Sequence, residues 1–129
     1  ISRRYHDFFC TIILSAICKR FEKGEPPYTA EEISKENKIP VRLTRTILYQ
    51  LLDMGLIYET PEEKKGLVRF VPGMDIHHLS VGVLLNKLDS YGAEDFKINH
   101  KQYSSYWDAL ITAREEYTRQ NNQILLKDL

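Results

Sequence analysis

The sequence predicts a mainly α-helical protein: a winged helix-turn-helix with a two-stranded β-wing and additional C-terminal helices. Three features between residues 28 and 71 carry that expectation: a short helix with a complete N-terminal capping signature, a proline-led longer helix with a sustained apolar stripe, and two β-rich runs after a glycine. Short helix, tight turn, longer helix and hairpin, in that order, describe this fold. The same architecture serves DNA readers and protein adaptors alike, so fold alone does not assign a function.

The elements follow in chain order. From about Arg4 to Glu22, Phe8, Phe9, Ile12, Ile13, Ala16, Ile17 and Phe21, with Tyr5 before them, recur at helical spacing. They predict a first helix apolar over much of its girth, placed at the centre of the core. Gly24-Glu25-Pro26-Pro27 ends it, because consecutive prolines cannot continue a helix and push their neighbours toward extended geometry. Thr29 then precedes Ala30-Glu31-Glu32, so its hydroxyl can accept an orphan backbone N–H while Glu32 reaches back in a capping box. Ile33 is the one strongly apolar residue of this short helix, and Asn37-Lys38 supply a turn, with Asn tolerating left-handed geometry. Pro40 suits a first helical turn. Leu43, Ile47, Leu51 and Met54 then form a stripe, widened by Leu48 and Leu52. Gly55 is placed as a left-handed C-cap. Residues 56–60 and 67–71 read as the two wing strands, and Pro61 to Gly66, with Glu62-Glu63-Lys64-Lys65, as the wing tip.

Pro72 to Asp75 is a turn, and Leu79-Ser80 opens a helix through Val83, Leu84, Leu85 and Leu88, capped by Ser80 and terminated by Gly92. The expected organisation is a winged-helix domain over 1–92, a linker over 93–98, and a helix within 99–129 packed on the domain or on a dimer partner. In that last helix Tyr103, Tyr106, Trp107, Leu110, Ile111, Arg114 and Tyr117 trace one face. Aromatic stripes at this spacing more often fill a core than line a groove, and a contact with a second copy is the alternative. Tyr103, Tyr106, Trp107, Leu110 and Tyr117 are the candidates for such a partner interface. Ile124, Leu125, Leu126 and Leu129 form an apolar end that either docks or frays.

A chain of 129 residues with 18 basic and 18 acidic side chains fits one compact domain of zero formal charge, so any attraction to nucleic acid or an anionic membrane must come from a local patch. Residues 1–55 carry nine Lys/Arg against seven Asp/Glu, and residues 56–98 carry five against seven, so the wing half leans acidic. Cys10 and Cys18 fall on one helix about 12 Å apart, beyond the reach of a disulfide. The longest apolar run, Thr11 to Cys18, is too short to span a bilayer.

If the longer helix reads DNA, its solvent face offers Arg42, Arg45, Thr46, Tyr49 and Gln50, types suited to phosphate and base-edge contacts near a helix N-terminus. Against this, Arg42 and Arg45 can equally be solvated charges on an amphipathic helix. His77 and His78 are adjacent and diverge, unlike the i, i+4 spacing that grips a metal, and His6 and His100 are isolated. No metal, no cofactor and no catalytic constellation is expected: the serines lie in helices or at caps, the carboxylate pairs on exposed faces, and the glycines are scattered singly.

The order ISRRYHDFF, RFEKGEPPYTAEEIS, IPVRLTRTILYQLLDMGLI and IHHLSVGVLLNKLD resembles the C-terminal cytoplasmic extension of BrkB-type, YihY-like bacterial membrane proteins, a family historically labelled ribonuclease BN. The resemblance covers roughly the first 92 residues. It implies a non-catalytic cytoplasmic regulatory or interaction module whose parent lies in the bacterial inner membrane and whose partner is the membrane-embedded part of that parent. Arg3-Arg4 would then follow the last span, as the positive-inside rule expects. The same segment also resembles the iron-sulfur-sensing repressor family in TAEEIS, IPVRLTRTIL and the wing followed by a Leu-Ser-Val helix, which implies the alternative function, a DNA-binding transcription regulator. The sequence departs from that second family in placing its cysteines on the first helix and in the wing tip PEEKKG.

Overall fold

The computed structural model describes residues 1–61 and 66–129; the expected Glu62-Glu63-Lys64-Lys65 wing tip lies outside the described residues. Among the described residues five α-helices and a small antiparallel sheet form a winged helix: α1 (Arg3–Glu22), β1 (Tyr28–Thr29), α2 (Ala30–Asn37), α3 (Val41–Asp53), β2 (Ile57–Pro61), β3 (Val68–Pro72), α4 (Val81–Asp89) and α5 (Ser104–Gln120). A short 3₁₀ turn, Leu126–Asp128, closes the chain.

Helix α1 is the axis of the core. Its Ile13, Leu14 and Ile17 are fully buried against Ile33 of α2, Ile47, Leu48 and Leu51 of α3, Ile57 of β2 and Leu84 of α4. Burying each such aliphatic side chain contributes about 1.5–3 kcal/mol, which makes this cluster the main source of stability. The helix starts where the Ser2 hydroxyl accepts the Tyr5 amide at 3.1 Å.

The expected capping box at the start of α2 is present. The Glu32 amide donates to Thr29 Oγ1 at 3.2 Å and the Thr29 amide donates to Glu32 Oε1 at 2.9 Å. The left-handed residue of the following turn is Lys38, at φ 54°, whereas Asn37 remains helical and donates its side-chain amide to the Ile33 carbonyl at 3.0 Å. Pro40 sits one position before the first helical residue of α3. That helix ends in a full Schellman motif: Leu56 N–H donates to Leu51 O and Gly55 N–H to Leu52 O, both at 3.0 Å, with Gly55 at φ 73°.

The sheet has three strands, in the order β1-β3-β2. The wing hairpin pairs Ile57 with Pro72 through Pro61 with Val68, one residue later on each strand than the sequence predicts. The third strand is the two-residue β1, where Tyr28 pairs with Phe70 and Thr29 with Arg69. Two residues are too few for a periodic signal; the strand is defined by its pairing with β3.

Helix α4 starts at Ser80, whose hydroxyl accepts the Val83 amide at 3.1 Å. Helix α5 packs on α4, with Ile111, Arg114 and Thr118 half-buried at spacings of three and four. Among the described residues, α5 contributes none to the buried core. After it, Leu126 returns to full burial beside α1, and the buried Ser15 hydroxyl donates to the Leu126 carbonyl at 2.7 Å.

Candidate nucleic-acid interface

Helices α2 and α3, joined by Lys38 to Pro40, form the helix-turn-helix. The turn is fixed from both sides: Ile39 N–H donates to the Ser34 carbonyl at 3.1 Å, and the Ser34 hydroxyl returns to the Ile39 carbonyl at 2.6 Å. Thr44, fully buried, donates its hydroxyl to the Pro40 carbonyl at 3.1 Å. Because Thr44, Ile47, Leu48 and Leu51 occupy the inner face of α3, helical geometry turns Arg42, Arg45, Thr46 and Tyr49 outward.

All four are exposed, Tyr49 at 72%. The Thr46 hydroxyl is already engaged, donating to the Arg42 carbonyl at 3.0 Å. Arg45 Nη2 donates to Glu31 Oε1 of α2 in an ion pair whose two side chains are 59% and 58% exposed. Gln50, the fifth candidate, faces elsewhere. It is half-buried, and His6 Nε2 of α1 donates to its Oε1 at 2.6 Å while the same ring lies 3.2 Å from Asp7 Oδ1. The structure therefore gathers Arg42, Arg45, Thr46 and Tyr49 on one surface and assigns Gln50 to the junction between α1 and α3.

The wing is tied to this pair of helices. Arg69 of β3 donates to the Pro27 carbonyl at 2.6 Å and lies 3.3 Å from Glu32 Oε1. The Thr29 amide, then the Thr29 hydroxyl, hold the Glu32 carboxyl below its usual range against the opposing effect of burial, and the charges of Arg69 and Arg20 add to the lowering. One carboxylate thus joins helix cap and wing. Sequence reading missed the engagement of Glu31 and His6, because their partners lie 14 and 44 residues away and outside any helical spacing.

The second group of candidates lies on α5. Tyr103, Tyr106, Trp107, Leu110 and Tyr117 are all exposed, Tyr106 at 71% and Trp107 at 50%. With Phe96 and Ile98 of the preceding segment, Tyr103, Tyr106, Trp107 and Leu110 border an open groove of about 730 Å³, and Tyr117 lies outside it. Cys10 and Cys18 are buried free thiols on α1, pushed up to about 12 by burial first and by Asp7 and Glu22 respectively. At neutral pH they are un-ionised and poor ligands or nucleophiles. Among the described residues no group of three His, Cys, Asp or Glu is placed to hold a metal ion, and no helix is long and apolar enough to cross a membrane.

No protein-family model matches this sequence, and no curated protein matches it. Solved structures do match. CymR, the global cysteine regulator of B. subtilis, is similar at 16% identity over 99% of this chain and 93% of its own, with a TM-score of 0.65. IscR of T. potens matches at 15% identity over 99% of this chain and 83% of its own, with a TM-score of 0.66. A putative transcriptional regulator from Listeria innocua matches at 12% identity over 96% and 82%, with a TM-score of 0.62. At these identities the likeness establishes the winged-helix fold. It also corrects the resemblance to a BrkB-type membrane-protein extension. That resemblance rested on the first 92 residues and on motifs shared by winged helices generally, whereas CymR and IscR match along 99% of the chain, last helix included. The expected inner-membrane parent and membrane-embedded partner lose their basis with it.

Proposed function

We propose that the protein is a DNA-binding transcription regulator of the winged helix-turn-helix type, acting as a dimer through α5 and without catalytic activity. The observation that carries this reading is the outer face of α3: Arg42, Arg45, Thr46 and Tyr49 stand exposed on a helix whose opposite face is locked into the core. In this role α3 enters the major groove, Arg42 and Arg45 contact phosphate or a guanine edge, and Thr46 and Tyr49 contact backbone or base edges. Gln50, bonded to His6, orients α3 against α1 instead of touching DNA. Support also comes from the similar structures, of which CymR is described as a regulator and the Listeria protein as a putative transcriptional regulator.

A single reading helix contacts a few base pairs, so a regulator of this size gains specificity by pairing. The apolar α5 face suits a second copy: its aromatic residues remain exposed on their own chain, and a two-fold axis would let each copy cover the other. With DNA as its partner the protein would work in the cytoplasm. The test is binding to mixed-sequence duplex across a salt series with sedimentation of the free protein. Micromolar or tighter binding that weakens steeply with salt, by a dimer, is the expected result. A chain that stays unbound at low salt would overturn the reading.

A further inference from the structure

The two arginines of the reading face are held differently. Among the described residues Arg42 makes no ion pair, whereas Arg45 is joined to Glu31 of the neighbouring helix. Glu31 lies in the first turn of α2, on the same exposed side of the helix pair. A carboxylate presents an arginine with two oxygens in a planar array much like those of a phosphate. To reach DNA, Arg45 must exchange that partner.

We propose that Glu31 acts as an internal phosphate mimic that holds Arg45 away from non-specific DNA, making it a specificity-determining residue of the same interface. The inference rests on the DNA-reading proposal above. Non-specific binding is built almost wholly from phosphate contacts, so an arginine already holding a carboxylate gains little by exchanging it for one phosphate. A guanine offering O6 and N7 together pairs bidentately and gives the stronger return. Glu31 therefore lowers the background affinity of the interface more than its affinity for a preferred site, and it does so through Arg45 alone. Both side chains are more than half exposed, so the pair is weak enough to open.

The experiment is fluorescence-anisotropy titration of mixed-sequence duplex across a salt series with wild type, Glu31→Gln, Arg45→Ala, Arg42→Ala and the two double variants carrying Glu31→Gln. Glu31→Gln is expected to bind about 3–10-fold tighter at low salt and to steepen the plot of log K against log salt by about one phosphate contact. That gain should persist in Arg42→Ala and vanish in Arg45→Ala. A gain that survives Arg45→Ala would assign Glu31 simple repulsion of phosphate and overturn the proposal, as would no gain in proteins that do bind. If neither wild type nor Glu31→Gln binds at low salt, the DNA reading itself fails, and this inference with it. Thermal melting of each variant confirms that it is folded, since none of the three exposed side chains supports the core.

Discussion

The amide of Gly82 donates to the carbonyl of Asn121 across 3.1 Å, and the neighbouring Val81 amide donates to the Ile124 carbonyl across 2.8 Å. The N-terminus of α4 thus satisfies carbonyls just beyond α5, bringing the positive end of one helix against the negative end of another. The approach requires glycine: a Cβ on Gly82 would lie 2.3 Å from Asn122 Oδ1 and 2.5 Å from the Thr118 carbonyl. Gly82→Ala is expected to cost about 1–3 kcal/mol, as overpacking does, and to lower the melting temperature. If α5 sets the dimer, the same variant also weakens self-association, read by sedimentation.

The chain end is fastened to α1 by a buried side-chain hydrogen bond, beside the backbone bond from Leu126 N–H to the Leu79 carbonyl at 3.1 Å. Ser15 donates to the Leu126 carbonyl, and both residues lie in the core. Ser15→Ala would remove the shorter of two hydrogen bonds to that carbonyl, leaving the Leu129 N–H at 3.4 Å, at a cost of about 0.5–1.5 kcal/mol. Leu126→Ala would open a cavity at a cost of about 2–5 kcal/mol. Urea unfolding of both variants checks the order, with Leu126→Ala the larger loss.

Acid sensitivity should centre on Glu32. Hydrogen bonds from Thr29 hold its carboxyl below the ordinary 4.5, so its ionised form favours the folded state. A depressed folded pKa gives stability that is present above the unfolded value and is lost as pH falls through the folded one. Melting temperature should therefore decline from about pH 4.5 downward, and Glu32→Gln should flatten part of that decline while lowering stability at neutral pH. The carboxylate is 41% exposed, so salt screening keeps the effect modest. Thr29→Ala removes the hydroxyl half of the capping box and should cost about 1 kcal/mol.

On α5, Trp107→Glu or Leu110→Asp places a charge on the proposed partner face without touching the core of its own chain. Each should shift a dimer toward monomer in sedimentation while leaving the melting temperature at low protein concentration within about 0.5 kcal/mol of wild type in equivalent stability.

Local signals made much of this fold legible. The capping box of Thr29 and Glu32 and the glycine that ends α3 are written within a few residues of the geometry they produce. The outward face of α3 follows from helical spacing once its apolar stripe is seen. Features set by distant partners were not legible. Strand β1 exists because Phe70 and Arg69 lie beside it, Gln50 turns inward because His6 meets it from another helix, and the α5 aromatics face outward because Ile111, Arg114 and Thr118 face α4 instead. The BrkB-type resemblance misled for a related reason: its motifs were the local grammar of a winged helix and carried no information about what the helix pair touches.

The most direct measurement is the affinity of wild type and of Arg42→Ala/Arg45→Ala for mixed-sequence duplex DNA across a salt series. A DNA reader built on α3 should bind at micromolar concentration or tighter at low salt, weaken steeply as salt rises, and lose affinity and about one phosphate contact of salt dependence in the double variant, the contact of Arg42, because Glu31 holds Arg45 off non-specific duplex. Equal binding by the two proteins, or none by either, would contradict the account.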